Sequence, residues 1–314
     1  MTTTGLALYH RTARLGSARV ITEYSTSFGL ASRLCSRPVR THVAAVYALV
    51  RIADEIVDGP AEEAGLDRGE RLAMLDALEA ETERAMRCGY SANLVVDAFA
   101  QTARATGFGA ELTRPFFASM RRDLDPIDFD EAELDAYVYG SAEVVGLMCL
   151  RAFSEGLPAD AARDARWQRG ARHLGAAFQK VNFLRDLADD FGERGRRYLP
   201  GVDPAHLTDA QQERVLDDID RDLAIAGEVI PELPAGCRRA VAAAHALFAE
   251  LSARLRRTPA EQLVRERVSV PAARKLALLV RAVASPGRGM PRPNAHADAH
   301  ADASAVAVAR EARP

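Results

Sequence analysis

Apolar residues recur every three or four positions along most of the chain, and strand-like alternation of apolar and polar residues is scarce. Alanine, leucine, arginine and glutamate dominate, and all four favour helices. Breakers divide this pattern: Pro38, Gly59-Pro60, Gly107 to Gly109, Pro126, Gly156 to Pro158, Pro200-Gly201, the cluster from Pro231 to Gly236, Pro259 and Pro271. The pattern predicts an all-α protein. One helix is bracketed by Pro38 and Gly59-Pro60, and another is predicted over 174–191, with Gly192 as its stop. From residue 285 the periodicity gives way to Pro, Gly and Ala, which predicts a disordered tail over 285–314. The division expected is an N-terminal extension over 1–17, one helical domain over 18–284, and that tail. His296 and His300, with Asp298 and Asp302, sit among alanines in the tail and are read as incidental rather than as a metal tract.

Composition narrows the class without naming it. The 314 residues suit one large domain or two ordinary ones, and 48% hydrophobic with 27% charged residues is ordinary for a globular protein. A net charge of −3 gives no reason to expect a nucleic-acid partner. Lysine occurs only at Lys180 and Lys275, so arginine supplies nearly all positive charge, and guanidinium groups suit bidentate phosphate contacts. Cys35, Cys88, Cys149 and Cys237 lack metal-ligand spacing and read as reduced thiols, small residues of the core. The N-terminus lacks the apolar run of a secretory signal, and the longest apolar run, over 43–50, is too short to span a bilayer. A cytoplasmic protein is expected, as a monomer or weak homodimer.

Two stretches carry the chemistry. Over 47–58, Tyr47, Arg51, Asp54 and Asp58 fall on a single helical stripe, with apolar residues on nearly every other face. Over 179–190, Gln179, Asn182, Asp186 and Asp190 repeat the arrangement, with Arg185 and Asp189 alongside. Carboxylates four residues apart repel on one face, and burying them is costly unless they are paired or bind a cation. For the first helix alone, a structural ion-pair cluster explains the charges equally well. Two such rows, with amides along one of them, favour an oxygen-rich site for Mg²⁺ bridged to substrate phosphates. The basic turn Gly195-Arg196-Arg197-Tyr198 follows, and either Arg196 or Arg197 is placed to meet phosphate oxygens, although a solvated loop accounts for it too.

These stretches resemble the head-to-head prenyl synthases, the squalene, dehydrosqualene and phytoene synthases, over roughly residues 18–283. The resemblance rests on Tyr47-x-x-x-Arg51-x-x-Asp54-Glu55-x-x-Asp58, on Gln179-x-x-Asn182-x-x-Arg185-Asp186-x-x-x-Asp190, and on Gly195-Arg-Arg-Tyr198-Leu-Pro. Ser25-Thr-Ser27-Phe28, the segment from Tyr137 to Gly146, and Glu266-Arg267 extend it. It implies one all-α domain around a central cavity, with the aspartate motifs facing across its mouth. It assigns Asp54, Asp58, Asp186 and Asp190 to Mg²⁺, with Mn²⁺ as a substitute, and Arg51, Arg185, Arg196 and Arg267 to diphosphate. Gln179 and Asn182 would hold substrate or metal-bound water. Tyr47, Tyr137 and Tyr198 would line the site and steady cations or the departing diphosphate, with Ser27 and Phe28 near the prenyl chain. Two departures stand out: Glu143 occupies a position where small residues often pack, and Glu55 follows Asp54 where relatives often have a second aspartate.

The activity this implies is Mg²⁺-dependent ionisation of a prenyl diphosphate, attack by a second one to give a cyclopropyl diphosphate, and rearrangement to a linear hydrocarbon. The likeness to bacterial phytoene synthases points to two geranylgeranyl diphosphates and to carotenoid biosynthesis; squalene or dehydrosqualene synthesis from farnesyl diphosphate is the alternative. The chain lacks a Gly-x-Gly-x-x-Gly dinucleotide fingerprint and NADPH is not expected, a weak indication because squalene synthases do not use that fold for it. A terpene cyclase or chain-elongating transferase would more often carry Asp-Asp-x-x-Asp, and a non-catalytic lipid-binding or assembly protein would tend to lose the aspartates. A product this apolar predicts peripheral contact with the inner face of the cell membrane.

Overall fold

The computed structural model describes residues 4–187 and 196–284. Helices dominate, in chain order: α1 (Gly5–Tyr24), α2 (Thr26–Ser32), α3 (Arg37–Val57), α4 (Pro60–Glu63), α5 (Arg68–Cys88), α6 (Leu94–Thr106), α7 (Ala110–Arg122), α8 (Glu131–Val138), α9 (Val144–Phe153), α10 (Ala161–Arg185), α11 (Asp209–Val229), α12 (Ala235–Arg257), α13 (Ala260–Leu263) and α14 (Ala272–Ala284). No β-strand occurs among the described residues, only an isolated parallel bridge between Asp128 and Arg197. Among the described residues, each predicted proline or glycine break falls at a boundary between these elements. Side-chain caps fix several helix starts: Asp67, Asp130 and Thr208 form capping boxes, and Asn93 and Asp160 accept from first-turn amides.

Three expectations need correction. The boundary after residue 17 falls inside α1, which buries Ala13, Ser17 and Ile21 and packs on α3 and α6, so residues 5–17 are part of the packed body. The second acidic helix begins at Ala161, capped by Asp160, and ends at Arg185, with Asp186 as its C-cap. Asp190, Asp189, Gly192 and the tail from residue 285 lie outside the described residues. Cys88 is exposed, whereas Cys35 and Cys237 are buried. Burial pushes the thiols of Cys35, Cys149 and Cys237 up to about 11, 12 and 12, so none is poised as a thiolate.

Two large apolar cores organise the helices. One joins α3, α5, α6, α7 and α9 through Leu49, Ala53, Leu75, Phe99, Phe116, Phe117 and Met148. The other joins α8, α10, α11 and α12 through Tyr137, Val181, Leu184, Leu216, Ile219 and Leu255. α3 and α10 thus belong to different cores and meet across a cavity, each turning its polar stripe inward.

Residues 139–143 form a π-helical turn between α8 and α9. That extra residue is accommodated because Gly140 lies against Pro115 and Ser119, where a Cβ would come within 2.3 Å of the Pro115 carbonyl oxygen. Gly175 of α10 lies as close to the same turn: a Cβ there would stand 2.6 Å from the Ala142 oxygen and 3.0 Å from the Glu143 Cα. These obstacles are backbone and cannot rotate away. Gly175→Ala is therefore expected to lower unfolding free energy by about 2 kcal/mol, measured by thermal or denaturant unfolding; an unchanged midpoint would contradict this packing.

Candidate active site

The cavity has two connected parts, a polar chamber of about 900 Å³ and an apolar pocket of about 310 Å³. Phe28, Tyr47, Val50, Ser141, Gln179 and Asn182 line both and mark the join. Beyond them the apolar pocket runs between Val46, Val145, Leu150, Trp167, Leu174 and Phe178. Phe28 sits against Phe178 and Phe248 at centroid distances of 5.6 and 5.7 Å, so aromatic faces form part of the join. The arrangement suits a long ligand with one charged end.

The first acidic stripe behaves as its spacing predicts. Tyr47, Arg51, Asp54 and Asp58 are half-buried while their neighbours Ala48, Leu49, Ala53, Ile56 and Val57 are buried, so the polar stripe, flanked by Val50, is what this helix presents to the chamber. Arg51 Nη1 donates to Asp54 at 2.7 Å, and the same guanidinium pairs with Glu55 and lies 4.7 Å from the centre of the Tyr24 ring. Burial and then the neighbouring Asp58 push the Asp54 carboxyl up to about 6. Burial likewise raises the Tyr47 hydroxyl.

On the opposite wall, α10 supplies Gln179, Asn182 and Arg185, with Asp186 at its cap. The Asp186 amide still donates to the Asn182 carbonyl at 2.9 Å, so the cap prolongs the stripe although the regular helix has ended. Arg185 Nε donates to Asp186 at 2.9 Å, and Arg267, from the segment before α14, reaches the same carboxylate at 2.8 Å. Arg267 is exposed on the chamber's outer side. Asn182 Oδ1 and Ser141 Oγ are buried without a partner.

The third wall is an extended segment. Arg197 donates its amide to Ile127 at 2.7 Å, and alternation along 196–198 turns Arg196 and Tyr198 inward and Arg197 outward. Of the two arginines proposed for phosphate contact, Arg196 is the one inside. It is 5% exposed, donates to Asp58 Oδ1 at 2.6 Å and to the Asp123 backbone oxygen at 2.6 Å. Burial alone would lower its pKa, but Tyr198 and the carboxylates of Asp58 and Asp123 raise it well above the ordinary arginine value.

The structure thus brings together in or beside the chamber Phe28, Tyr47, Arg51, Asp54, Asp58, Tyr137, Gln179, Asn182, Arg185, Asp186, Arg196, Tyr198 and Arg267. The Ser27 side chain and Asp190 lie outside the described residues. Glu143 is not a cavity residue: it pairs with Arg172 at 2.5 Å, while Ser141 and Ala142 form the wall. Tyr24, Lys275 and Asp123 line the chamber without having been singled out. Asp123 is a lone acid after α7, with no second carboxylate at helical spacing to mark it.

No three acidic, His or Cys side chains converge into a ready metal cage among the described residues. The donor set nevertheless fits a hard cation shared with phosphate. Carboxylates stand on both sides of the chamber, the buried Asn182 oxygen lacks a partner, and the arginines that now hold the carboxylates are themselves phosphate-binding groups.

The squalene/phytoene synthase family model matches residues 21–274, and the chain belongs to that family, a prenyltransferase of its type. A 15-cis-phytoene synthase from Paracoccus sp. is 29% identical over 279 residues, covering 84% of this chain and 89% of the relative. A presqualene diphosphate synthase from Rhodopseudomonas palustris is 33% identical over 178 residues, covering 56% of this chain and 58% of that protein. Among solved structures, a dehydrosqualene synthase superposes with a TM-score of 0.70 at 23% identity, covering 88% of this chain and 96% of the other. The squalene synthase HpnC from Alicyclobacillus acidocaldarius gives 0.66 at 21% identity, covering 80% and 95%. These structures share the all-helical fold described above.

Proposed function

We propose that this protein is a phytoene synthase, joining two geranylgeranyl diphosphates head to head through a cyclopropyl diphosphate and releasing diphosphate. The observation that carries this reading is the polar, arginine-rich chamber opening directly into an apolar pocket, in a chain similar over most of its length to a 15-cis-phytoene synthase. The diphosphate end belongs among Arg51, Arg185, Arg196 and Arg267; the hydrocarbon belongs along Phe28, Val46, Leu174 and Phe178. Asp54, Asp58 and Asp186 would hold Mg²⁺, which when bound supplies charge neutralisation of the leaving group.

The residues' own contributions follow from their positions. Arginines now paired with carboxylates exchange those partners for phosphate oxygens, lowering the cost of diphosphate departure. The apolar pocket excludes water that would quench an allylic cation. Ring faces of Tyr47 and Phe28 and the tyrosine oxygens at the chamber offer negative potential to that cation. Proton loss then ends the reaction, so NADPH should leave product formation unchanged.

The alternative, a squalene-type synthase using farnesyl diphosphate, is favoured by the R. palustris relative and the structural neighbours. Incubating purified protein with each diphosphate and Mg²⁺, with and without NADPH, separates the two. A C40 hydrocarbon formed without NADPH is the expected result; preference for farnesyl diphosphate would overturn the phytoene assignment.

Release of such a product calls for a lipid surface, and we assign peripheral membrane contact to α14. No helix among the described residues is long and apolar enough to cross a membrane. On α14, Leu276, Val280 and Val283 are exposed, while Leu278, Leu279 and Ala282 pack inward. The helix carries Arg274, Lys275 and Arg281 and no acid, a net positive charge that suits anionic headgroups; Arg274 pairs with Glu250 at 2.8 Å, and Lys275 and Arg281 have partners of their own. Lys275 lines the chamber, so the start of this helix lies beside it. The protein is expected to co-float with anionic phosphatidylglycerol vesicles, and Leu276→Asp/Val280→Asp to abolish flotation without altering the circular dichroism spectrum. A wild type that never floats, or a face that light scattering shows to be a dimer contact, would contradict the assignment.

A further inference from the structure

Asp123 is the least expected carboxylate in the molecule. It follows α7, is 7% exposed, and lines the chamber with no cationic side chain among the described residues donating to its carboxylate. Its partners are two phenols. The Tyr137 hydroxyl donates to Oδ1 at 2.8 Å and to Oδ2 at 2.9 Å, and the Tyr198 hydroxyl donates to Oδ1 at 3.1 Å. Arg196 donates to the Asp123 backbone oxygen and to Asp58 Oδ1 rather than to the Asp123 carboxylate among the bonds of the described residues.

The chemical consequence is directional. A phenol in water presents either its proton or its lone pairs to a neighbour. Here both hydroxyls donate to Asp123 and the two phenols also bond to one another, so carboxylate and pair form one proton-sharing unit at the chamber wall. The two rings lie 5.3 Å apart and are packed by Phe129 and Phe183, so neither can swing off. A chamber that must break a C–O bond and shelter the resulting cation gains nothing from a phenol proton facing that cation. It gains from an oxygen that can take a proton at the end.

We propose that Asp123 is the positioning residue that makes the Tyr137–Tyr198 pair the proton acceptor of the terminal step. The inference rests on the reading of this site as a head-to-head prenyl synthase ending in proton loss. In that step a C–H bond beside the final allylic cation breaks, and its electron pair becomes the new C=C bond. The proton goes to a tyrosine oxygen while that hydroxyl's own proton passes to Asp123. The tyrosine then gives up the proton it took from carbon to the released diphosphate as Asp123 returns the hydroxyl's own proton, which restores both groups. No oxidant or reductant is involved. Burial, partly offset by Arg196, pushes the Asp123 carboxyl up to about 7, which suits a group that must accept a proton and give it back.

The test is Asp123→Asn, which keeps the shape. Its carboxamide can accept from one tyrosine but presents N–H to the other, and it cannot take up a proton. Purified wild type and variant are given geranylgeranyl diphosphate and Mg²⁺, and hydrocarbon, cyclopropyl diphosphate and water-quenched alcohols are quantified together. Relative to wild type, the ratio of hydrocarbon to cyclopropyl diphosphate plus alcohols should fall at least about tenfold, and the solvent deuterium isotope effect on hydrocarbon formation should disappear. Tyr137→Phe/Tyr198→Phe should shift the ratio in the same direction and supplies the test if Asp123→Asn does not fold. A folded variant making all products in wild-type proportion would overturn the relay while leaving the head-to-head reading intact. A wild type making no 1-1′ linked product would overturn both.

Discussion

Asp54→Ala is expected to lower turnover of a prenyl diphosphate by at least about a thousandfold while leaving helicity unchanged. Asp54 stands with Asp58 on the one polar stripe of an otherwise buried helix, and Arg51 now neutralises it across 2.7 Å. Removing it leaves Arg51 with Glu55 as its carboxylate partner among the described residues and takes one charged oxygen pair from the site that must hold Mg²⁺. Asp186→Ala should have the same effect from the opposite wall. Unchanged turnover with intact circular dichroism would mean that the stripe is structural, as the first helix taken alone allows. A companion effect separates the two accounts. Burial and Asp58 hold the folded-state Asp54 carboxyl near 6, above its ordinary value of 3.8. The folded state therefore binds this proton more tightly than the unfolded chain, and its stabilisation fades as pH rises from about 4 to 6. Asp54→Asn should raise stability of the free protein at pH 7.5, by about 1 kcal/mol after allowing for solvent at the chamber. A structural ion pair predicts loss on both counts; a functional carboxylate predicts lost turnover with gained stability.

Arg196→Ala should be the most destabilising single change in the site, at about 3 kcal/mol, and should reduce turnover by about a hundredfold or more. Arg196 is buried at the junction of both acidic groups, bonding the Asp58 carboxylate and the Asp123 backbone oxygen. Without it, Asp58 loses a charge-assisted bond, Asp123 loses the cation that partly offsets its burial, and the extended segment carrying Tyr198 loses its anchor. Arg196→Lys keeps the charge but offers no planar pair of donors to two acceptors, so it should recover only part of either loss. Thermal unfolding and steady-state kinetics measure the two effects, and an Arg196→Ala protein as stable and active as wild type would remove Arg196 from the site.

Much of this architecture was written in spacing. The breakers at Pro38, Gly59-Pro60, Pro126, Pro259 and Pro271 all lie at helix boundaries because proline and left-handed glycine act locally. The inward stripe of α3 was legible for the same reason, since eleven residues of unbroken helix fix which side chains share a face. What stayed hidden depends on contacts between distant segments. The break between α5 and α6 uses Gly89 as a left-handed cap and Asn93 as an N-cap, with no proline to announce it. The end of α10 at Arg185 was missed because apolar periodicity continues beyond it, while Asp186 is drawn to Arg185 and Arg267. The selection of Arg196 over Arg197 comes from pairing with residues 127–129, nearly seventy positions away. Asp123 acquires its importance only when Tyr137 and Tyr198 fold onto it.

In this mechanism α3 and the end of α10, held in separate cores, together grip one diphosphate. A crystal structure with Mg²⁺ and a non-ionisable thiolodiphosphate analogue of geranylgeranyl diphosphate tests it most directly. The diphosphate should lie between Asp54, Asp58 and Asp186, with Arg51, Arg196 or Arg267 turned from its carboxylate to a phosphate oxygen and the hydrocarbon threaded past Phe28 into the apolar pocket. A diphosphate bound outside the chamber, or one that leaves every arginine–carboxylate pair in place, would contradict the account.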